Sequence, residues 1–590
     1  MTKDSPYALV SLIRQVWFYA GKQRPQMVAF YGLLVVANLF ILARPLILAK
    51  IINAIQTGGP EMLCTSLVWC AVYAGSIIGF WSFHGPARVI ERRVAFVVYQ
   101  RFVADLYAKV TEMPLTWHQD HHSGATINRV TKASKALFKF AQDQFTLIQT
   151  TVLFVGSLMA LGFYSWWVTG IVALGIAGLF ASVRRFDQRL STLVRETNER
   201  EHHLVAGLYD YIGNIITVLT LRLHGHTREE IGRRFEAMRP PFWEQVVMNE
   251  WKWASMSVAL VFLLAGIVAA YIGLTVLAGG VLTAGAVVAI FQYQMMINES
   301  FFNLASRAET VMQQNMDLLS VKELLEDHAR LGVKPRREEG RPWKNLALRE
   351  LDFTHGNDKD EASQVLRNVN LDLRAGRKIA MIGTSGAGKT TLLSLLRGLR
   401  EPEQVLLTLD GESFNQLEPL ADLATLVPQD SEIFENTVRY NLTLGVEVAD
   451  DILQRALSIA AFDGVAASLS QGIDTDIRER GVNLSGGQKQ RLALARGIIA
   501  AEDSSILLLD EPTGSLDLQT ESTIFERLFA AFPDKTIVAT VHRLHLVPRF
   551  DEICLIQDGT VIEQGTFREL LQKDGAFAVL WRDHLTQQER

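Results

Sequence analysis

The sequence predicts an all-α membrane domain of six helices followed by an α/β domain. Two observations carry this. Charged residues are sparse before about residue 310 and frequent after it, and four long stretches of the first half hold no Asp, Glu, Lys or Arg. From about residue 345, short apolar strands alternate with helical patterns, which marks an α/β domain. Apolar types make up 49% of the 590 residues and charged types 21%, a composition that excludes disorder and collagen-like repeats. The net charge of −5 leaves no basic footprint for nucleic acid. The cysteines Cys64, Cys70 and Cys554 form no paired C-x-x-C, so neither a zinc site nor a disulfide framework is indicated.

A helix needs about 20 apolar residues to cross the hydrocarbon core. The stretches between Arg24 and Arg44 and between Glu61 and Arg88 each hold one span. Those between Asp143 and Arg184 and between Lys252 and Glu299 hold two each, turning near Ser165 and at Gly279-Gly280. Nine Lys and Arg fall in residues 85–145 and eleven in 184–252, whereas the short connections at Gly58-Gly59, Ser165 and Gly279 carry none. The positive-inside rule then places the N-terminus, both long connections and the C-terminal half in the cytoplasm. Before the first span, Leu9, Leu12, Ile13, Val16 and Trp17 share one helical face, the pattern of an interfacial amphipathic helix or an ordinary terminal one.

Each long connection is polar and mostly free of helix breakers, so each reads as two membrane helices continuing into the cytoplasm and turning there. The first turn is marked by Pro114 and Gly124, around Trp117, His118, His121 and His122; the second is expected near 209–213. No Cys or Glu completes a metal set with His118 and His122, so a polar turn touching another domain is the better reading. The domain boundaries expected are 1–325 for the membrane domain, 326–344 for a linker and 345–590 for the α/β domain.

In the second half, the buried strand 378–382 runs into Gly383, Thr384, Ser385, Gly386, Ala387, Gly388, Lys389, Thr390 and Thr391, then into a helix. This is G-x-x-x-x-G-K-[ST] in a strand–loop–helix setting. Glycines let backbone N–H groups close around phosphate, and the helix N-terminus adds a favourable dipole. Lys389 is placed to meet the β and γ phosphates of ATP, and Thr390 to ligate Mg²⁺. A second buried strand, 505–509, ends in Asp510 and Glu511. Asp510 is placed to hold Mg²⁺, and Glu511 to polarise an attacking water as general base.

Between these lies Leu484-Ser485-Gly486-Gly487-Gln488, followed by a helical run. With it the α/β domain resembles the ATP-binding cassette of the ABC family, a P-loop NTPase fold. The whole chain resembles an exporter-type half-transporter. The resemblance implies that Ser485, Gly486, Gly487 and Gln488 bind ATP, and that Gln429 is the Q-loop glutamine sensing Mg²⁺ and the attacking water. By the same resemblance His542 is the switch histidine at the γ-phosphate, Asp517 the D-loop aspartate, and Glu479 the X-loop acid facing the membrane-domain turns. Trp117 and His118 fall in the coupling turn. One position departs from the pattern: His355 stands where the family usually stacks a tyrosine on adenine, and the polar run 357–363 follows it.

The resemblance further implies a site completed by a second cassette, with Ser485 and Gly487 closing on the γ-phosphate from across a C₂ interface. A homodimer is the simplest form, since every catalytic position is present; a heterodimer with another half stays open. The expected activity is ATP-driven export of an amphipathic substrate, such as a lipid, glycolipid, glucan, peptide or drug, across a bacterial inner membrane. The alternative is an ATP-gated channel or regulatory membrane protein. Substrate-cavity candidates are Arg44, Lys50, His84, Gln292, Met295, Met296, Glu299 and Phe302, because polar groups inside a membrane usually point inward. The turn 113–118 also resembles that of the bacterial cyclic β-glucan exporters.

Overall fold

The computed structural model describes residues 5–121, 123–331, 342–354, 364–421, 423–477 and 484–588. His122, His355, the run 357–363, Glu479 and most of the expected linker lie outside the described residues. The chain divides into two compact units, one of Met1–Glu112 with His121–Gly332 and one of Met113–Asp120 with Val333–Arg590.

The first unit is all helical: α1 Ser5–Ala20, α2 Arg24–Thr57 and α3 Met62–Thr111, then α5 Ser123–Gln142, α6 Gln144–Tyr164 and α7 Trp166–Gly213, with the short helix α4 Leu115–Asp120 interposed in sequence but grouped with the second unit. It continues through α8 Ile215–Thr220, α9 His224–Leu277, α10 Ala284–Leu319 and α11 Lys322–Leu331. Among the described residues, five helical segments are long and apolar enough to cross a membrane: Ala8–Thr57, Met62–Thr111, Gln144–Tyr164, Trp166–Gly213 and His224–Leu277. The sixth expected span is the continuous helix α10. Its first turns carry Gln292, Gln294, Asn298 and Glu299, which lower its hydropathy, while Tyr293 and Phe301 on the same helix are fully buried. It reads as polar because it packs inside the bundle, where side chains meet protein instead of lipid.

The second cytoplasmic turn falls later than 209–213. Helix α7 runs on through Gly213, and Asn214 breaks it with φ −107° while its side-chain amide donates to the Asp210 carbonyl. Helix α11 also occupies the first part of the expected linker, where His328 Nε2 lies 2.7 Å from Glu112 Oε2.

Helices α5 and α6 would form one rod but for a break at Asp143, and the break is held from three other helices. Glu91 of α3, 0% exposed, accepts the Phe145 amide at 2.8 Å, an anion capping the α6 N-terminus from outside. Arg88 pairs with Glu91, donates to the Gln142 carbonyl at 2.9 Å and lies over the Phe145 ring. Arg307 of α10 bonds Asp143 at 3.2 Å and the Thr146 hydroxyl at 3.1 Å, and Tyr31 of α2 donates to Gln144 at 2.6 Å.

The second unit carries β1 Asn345–Thr354, β2 Gln364–Arg374, β3 Lys378–Ile382, β4 Gln404–Leu409, β5 Glu412–Phe414, β6 Ala424–Val427, β7 Asn436–Thr437, β8 Asp476–Ile477, β9 Ile506–Leu509, β10 Thr536–Thr540, β11 Glu552–Gln557 and β12 Thr560–Gly565. Strands β12-β11-β3-β10-β9-β6 form a six-stranded sheet and β2-β1-β4-β5 an antiparallel one. The strand pleat sorts side chains onto two cores. Ile379, Met381, Ile506, Leu508 and Val538 join the core that also holds the antiparallel sheet. Ala380, Ile382, Leu507, Leu509, Ile537 and Ala539 join the core on the other face. Burial on both faces explains why these strands read as continuous apolar runs.

Candidate functional site

Strands β3, β10, β9 and β6 are neighbours and run parallel, so their C-terminal ends meet at one edge of the sheet. Ligands bind at that edge of open α/β sheets. The four ends deliver the 383–391 loop, His542, the pair Asp510 and Glu511, and Gln429.

The loop after β3 needs its glycines. Gly383 has φ +155° and Gly388 has φ +99°, and a Cβ on Gly383 would run into the Ile556 carbonyl. Gly388 is the N-cap of the helix Lys389–Leu396, which starts at the lysine. Lys389 is only 6% exposed, and its ammonium donates to the carbonyls of Gly383 and Thr384, each at 2.9 Å. Burial pushes its pKa down, against the pull of Glu511 and Asp510.

Asp510 is 3% exposed. The Thr540 hydroxyl donates to its Oδ1 at 3.0 Å, and the Thr390 hydroxyl also bonds its carboxylate. Burial pushes the Asp510 pKa up, and the two hydroxyl bonds and Lys389 oppose it. A buried carboxylate touching the hydroxyl expected to ligate Mg²⁺ is an oxygen pair of the kind that ion takes.

Glu511 follows in a left-handed backbone conformation, φ +45°. Its Oε1 lies 2.5 Å from His542 Nε2, and its Oε2 accepts from Gln429 Nε2 at 2.9 Å. Three of the four residues assigned to catalysis from the sequence are thus joined through one carboxylate. Its strained backbone is pinned on both sides: the Glu511 amide donates to Thr540 Oγ1 at 2.7 Å, and its carbonyl accepts from Gln490 Nε2 at 2.8 Å. Gln490 also accepts the Ser515 amide at 2.9 Å. The sequence reading missed Gln490 and Thr540. A second glutamine two residues beyond the 484–488 motif was the available signal for the first; nothing local marked the second.

Ser485 caps the helix Gly486–Ala500 in a reciprocal box with Gln488, whose side chain accepts the Ser485 amide at 2.8 Å. Among the described residues no hydrogen bond joins 484–488 to the 383–391 loop. Asp517 caps the helix Leu518–Ala531, accepting the amides of Thr520 at 2.9 Å and Gln519 at 3.1 Å. The Thr520 bonds hold its carboxyl below the usual range. Trp117 and Met113 are buried within the second unit, His118 packs edge-on to Trp117, and Gln119 accepts from Arg400 at 3.0 Å.

In the first unit a cavity of about 440 Å³ opens between α2, α3, α6 and α10. Arg44, Gln292, Met296 and Glu299 line it, as the sequence suggested, and so do Thr146, Gln149, Thr150 and Asn303. The first three of these additions are spaced i, i+3, i+4, a polar stripe on one face of α6 that was legible and passed over. Four candidates lie elsewhere. Lys50 and Met295 are exposed, His84 stacks on Phe80, and Phe302 packs against Trp253.

Comparison with known proteins agrees with this layout. Residues 27–301 match the family described as ABC transporter transmembrane region and residues 366–514 the one described as ABC transporter. The chain is 27% identical to the Beta-(1→2)glucan export ATP-binding/permease protein NdvA of Bartonella bacilliformis, over 91% of this chain and 89% of that one. It is 28% identical to the protein of the same name from Rhizobium etli, over 93% of each. A bacterial Atm1-family ABC exporter with ATP bound shares the fold, with a TM-score of 0.79 at 22% identity, covering 95% of this chain and 99% of that one. The chain belongs to the ABC transporter family: it is a multi-pass membrane protein of the exporter half-transporter type, with a transmembrane region and an ATP-binding cassette fused on one polypeptide, and it couples ATP hydrolysis to transport.

Proposed function

We propose that this protein exports a hydroxyl-rich, glucan-like molecule from the cytoplasm across a bacterial inner membrane, as a homodimer with both termini in the cytoplasm. The observation that carries the driving reaction is Glu511, whose two carboxylate oxygens meet His542 and Gln429 beside the phosphate loop. In this reading Glu511 draws a proton from the attacking water, His542 faces the γ-phosphate, Gln429 orients the water, and Lys389 turns from the Gly383 and Thr384 carbonyls to the β and γ phosphates. Thr390, Asp510 and Gln429 would hold Mg²⁺, which when bound neutralises charge on the phosphates. The base needs its carboxylate aimed, and Gln490 holds the backbone that aims it. Gln490→Ala removes two hydrogen bonds worth about 1 kcal/mol each, so kcat should fall roughly tenfold or more with the ATP KM nearly unchanged. Steady-state hydrolysis over a range of ATP concentrations reads that split.

Two features support a second copy. Among the described residues no hydrogen bond joins the 484–488 motif to the phosphate loop of the same chain, so Ser485 and Gly487 are available to close on the γ-phosphate of another cassette. The second cytoplasmic turn also leaves Tyr209 at 75% and Ile216 at 78% exposure, with Ile212 and Leu219 beside them. Such a patch suits a docking surface, and a second copy's cassette offers a groove along 436–453 lined by Tyr440, Val446 and Leu453.

For the substrate, the relatives are named as β-(1→2)glucan exporters. The cavity wall favours a glycan over a lipid, since amides, hydroxyls and two charged groups outnumber its apolar side chains. The test is ATP hydrolysis by purified protein reconstituted in lipid. A β-(1→2) gluco-oligosaccharide should stimulate it several-fold and a neutral lipid should not; the reverse would refute the glucan reading.

A further inference from the structure

Arg44 is the one feature of the cavity that a neutral glycan leaves unexplained. It sits on α2 within a segment apolar enough to span the membrane. Its Nε donates to the Ser76 hydroxyl at 3.2 Å, and that hydroxyl is itself turned to the Tyr73 carbonyl at 2.7 Å. Its Nη2 is buried and has no hydrogen-bond partner, and among the described residues no carboxylate pairs with it. Arg44 is half-buried and lines the cavity, and a guanidinium cannot shed its charge as a lysine can, so it presents an unpaired positive charge there that an anion would compensate.

Glu299 does not fill that need. It lines the same cavity but is exposed, and it makes no ion pair to Arg44. The two charges therefore differ in kind. The carboxylate is open to the cavity and can accept from hydroxyl donors, whereas the guanidinium keeps a buried Nη2 that no protein group accepts from. The next residue, Pro45, removes the helical donor from the Ile41 carbonyl, which belongs to the same wall. The Gln149, Gln292 and Asn303 amides add groups that both donate and accept. The wall is thus set for many hydroxyls and for one oxyanion.

We propose that the transported molecule carries an acidic substituent, a phosphate or carboxylate, and that this oxyanion seats on Arg44 while hydroxyls are held by Glu299 and the amides. Resting on the cavity as the transport site, this makes Arg44 the residue that selects charge. The geometry suits it: guanidinium takes either oxyanion through paired N–H donors, and such charge-assisted bonds are about twice as strong as neutral ones.

The test compares three forms of one linear β-(1→2) gluco-oligosaccharide: unsubstituted, with one O-phosphate and with one O-succinyl group. Stimulation of ATP hydrolysis is read in lipid-reconstituted full-length protein. Wild type should respond to the acidic forms at roughly tenfold lower concentration than to the neutral form. Arg44→Gln should erase that ratio and Arg44→Lys should retain most of it. Equal response of wild type to all three forms overturns the proposal, as does an undiminished ratio in Arg44→Gln. Should none of the sugars stimulate hydrolysis, the glucan reading fails by itself. A phosphoserine peptide and its unphosphorylated form then pose the charge question: discrimination that Arg44→Gln abolishes keeps the oxyanion seat, and none removes it.

Discussion

Replacing Glu511 with glutamine is expected to lower ATP hydrolysis by at least about a hundredfold, the typical scale of a positioned general base. The substitution keeps the side chain's length and one acceptor oxygen, so the contacts to His542 and Gln429 change little in shape. It removes the negative oxygen that would take the proton. Nothing in the 383–391 loop is touched, so nucleotide binding should persist. The variant should then hold ATP between two closed cassettes, seen as occluded nucleotide on a dimer by native mass spectrometry. Phosphate release by the reconstituted variant measures the rate directly. A rate within a few-fold of wild type would remove Glu511 from the chemistry and leave Asp510 as the remaining acid.

Lys378→Met should unfold the cassette more readily than any substitution at the nucleotide edge. Lys378 opens β3 and is nearly buried, and the three N–H donors of its ammonium are shared among four carbonyls: Gly376 at 3.1 Å, Phe532 at 2.8 Å, Pro533 at 3.0 Å and Lys535 at 2.6 Å. Three of the four lie in the turn that joins the helix Leu518–Ala531 to β10. Burial lowers the pKa of the amine, with Asp551 and Asp534 pulling the other way. Methionine fills the same space without a donor. Leaving buried acceptors unmade costs about 1–3 kcal/mol each, less what water can recover, so a net loss near 3 kcal/mol is expected. For a unit of this size that lowers Tm by roughly 6–12 °C. Thermal unfolding of purified protein in detergent checks it, and a Tm unchanged within about 1 °C would mean that the carbonyls find other donors.

What the sequence made legible follows from how local the chemistry is. The phosphate loop, Asp510 with Glu511, and the 484–488 motif are short because backbone geometry around a phosphate leaves few residue choices, so they stood out without a fold. Parallel strands buried on both faces were readable for a related reason: neither face meets water, so they read as continuous apolar runs. The six-stranded order was not readable, and it is what brings Gln429 and His542 to Glu511 from far apart in sequence. The clamp of Glu91, Arg88, Asp143 and Arg307 was invisible too. Each residue alone looks like an ordinary cytoplasmic charge, and only tertiary packing reveals that Glu91 caps the α6 N-terminus. Helix α10 misleads a hydropathy reading in the opposite sense, since its polar residues face protein and cavity. Thr146, Gln149 and Thr150, at the head of an apolar span, also border the cavity, and their spacing does mark one polar helix face in the sequence.

In this protein ATP hydrolysis does transport work. The direct measurement is accumulation of a labelled β-(1→2) gluco-oligosaccharide inside proteoliposomes whose cassettes face outward. With ATP and Mg²⁺ the wild-type protein should raise the internal concentration above the external one, and Glu511→Gln should not. Equal internal and external concentrations with wild type, or accumulation by Glu511→Gln at the wild-type rate, would contradict it.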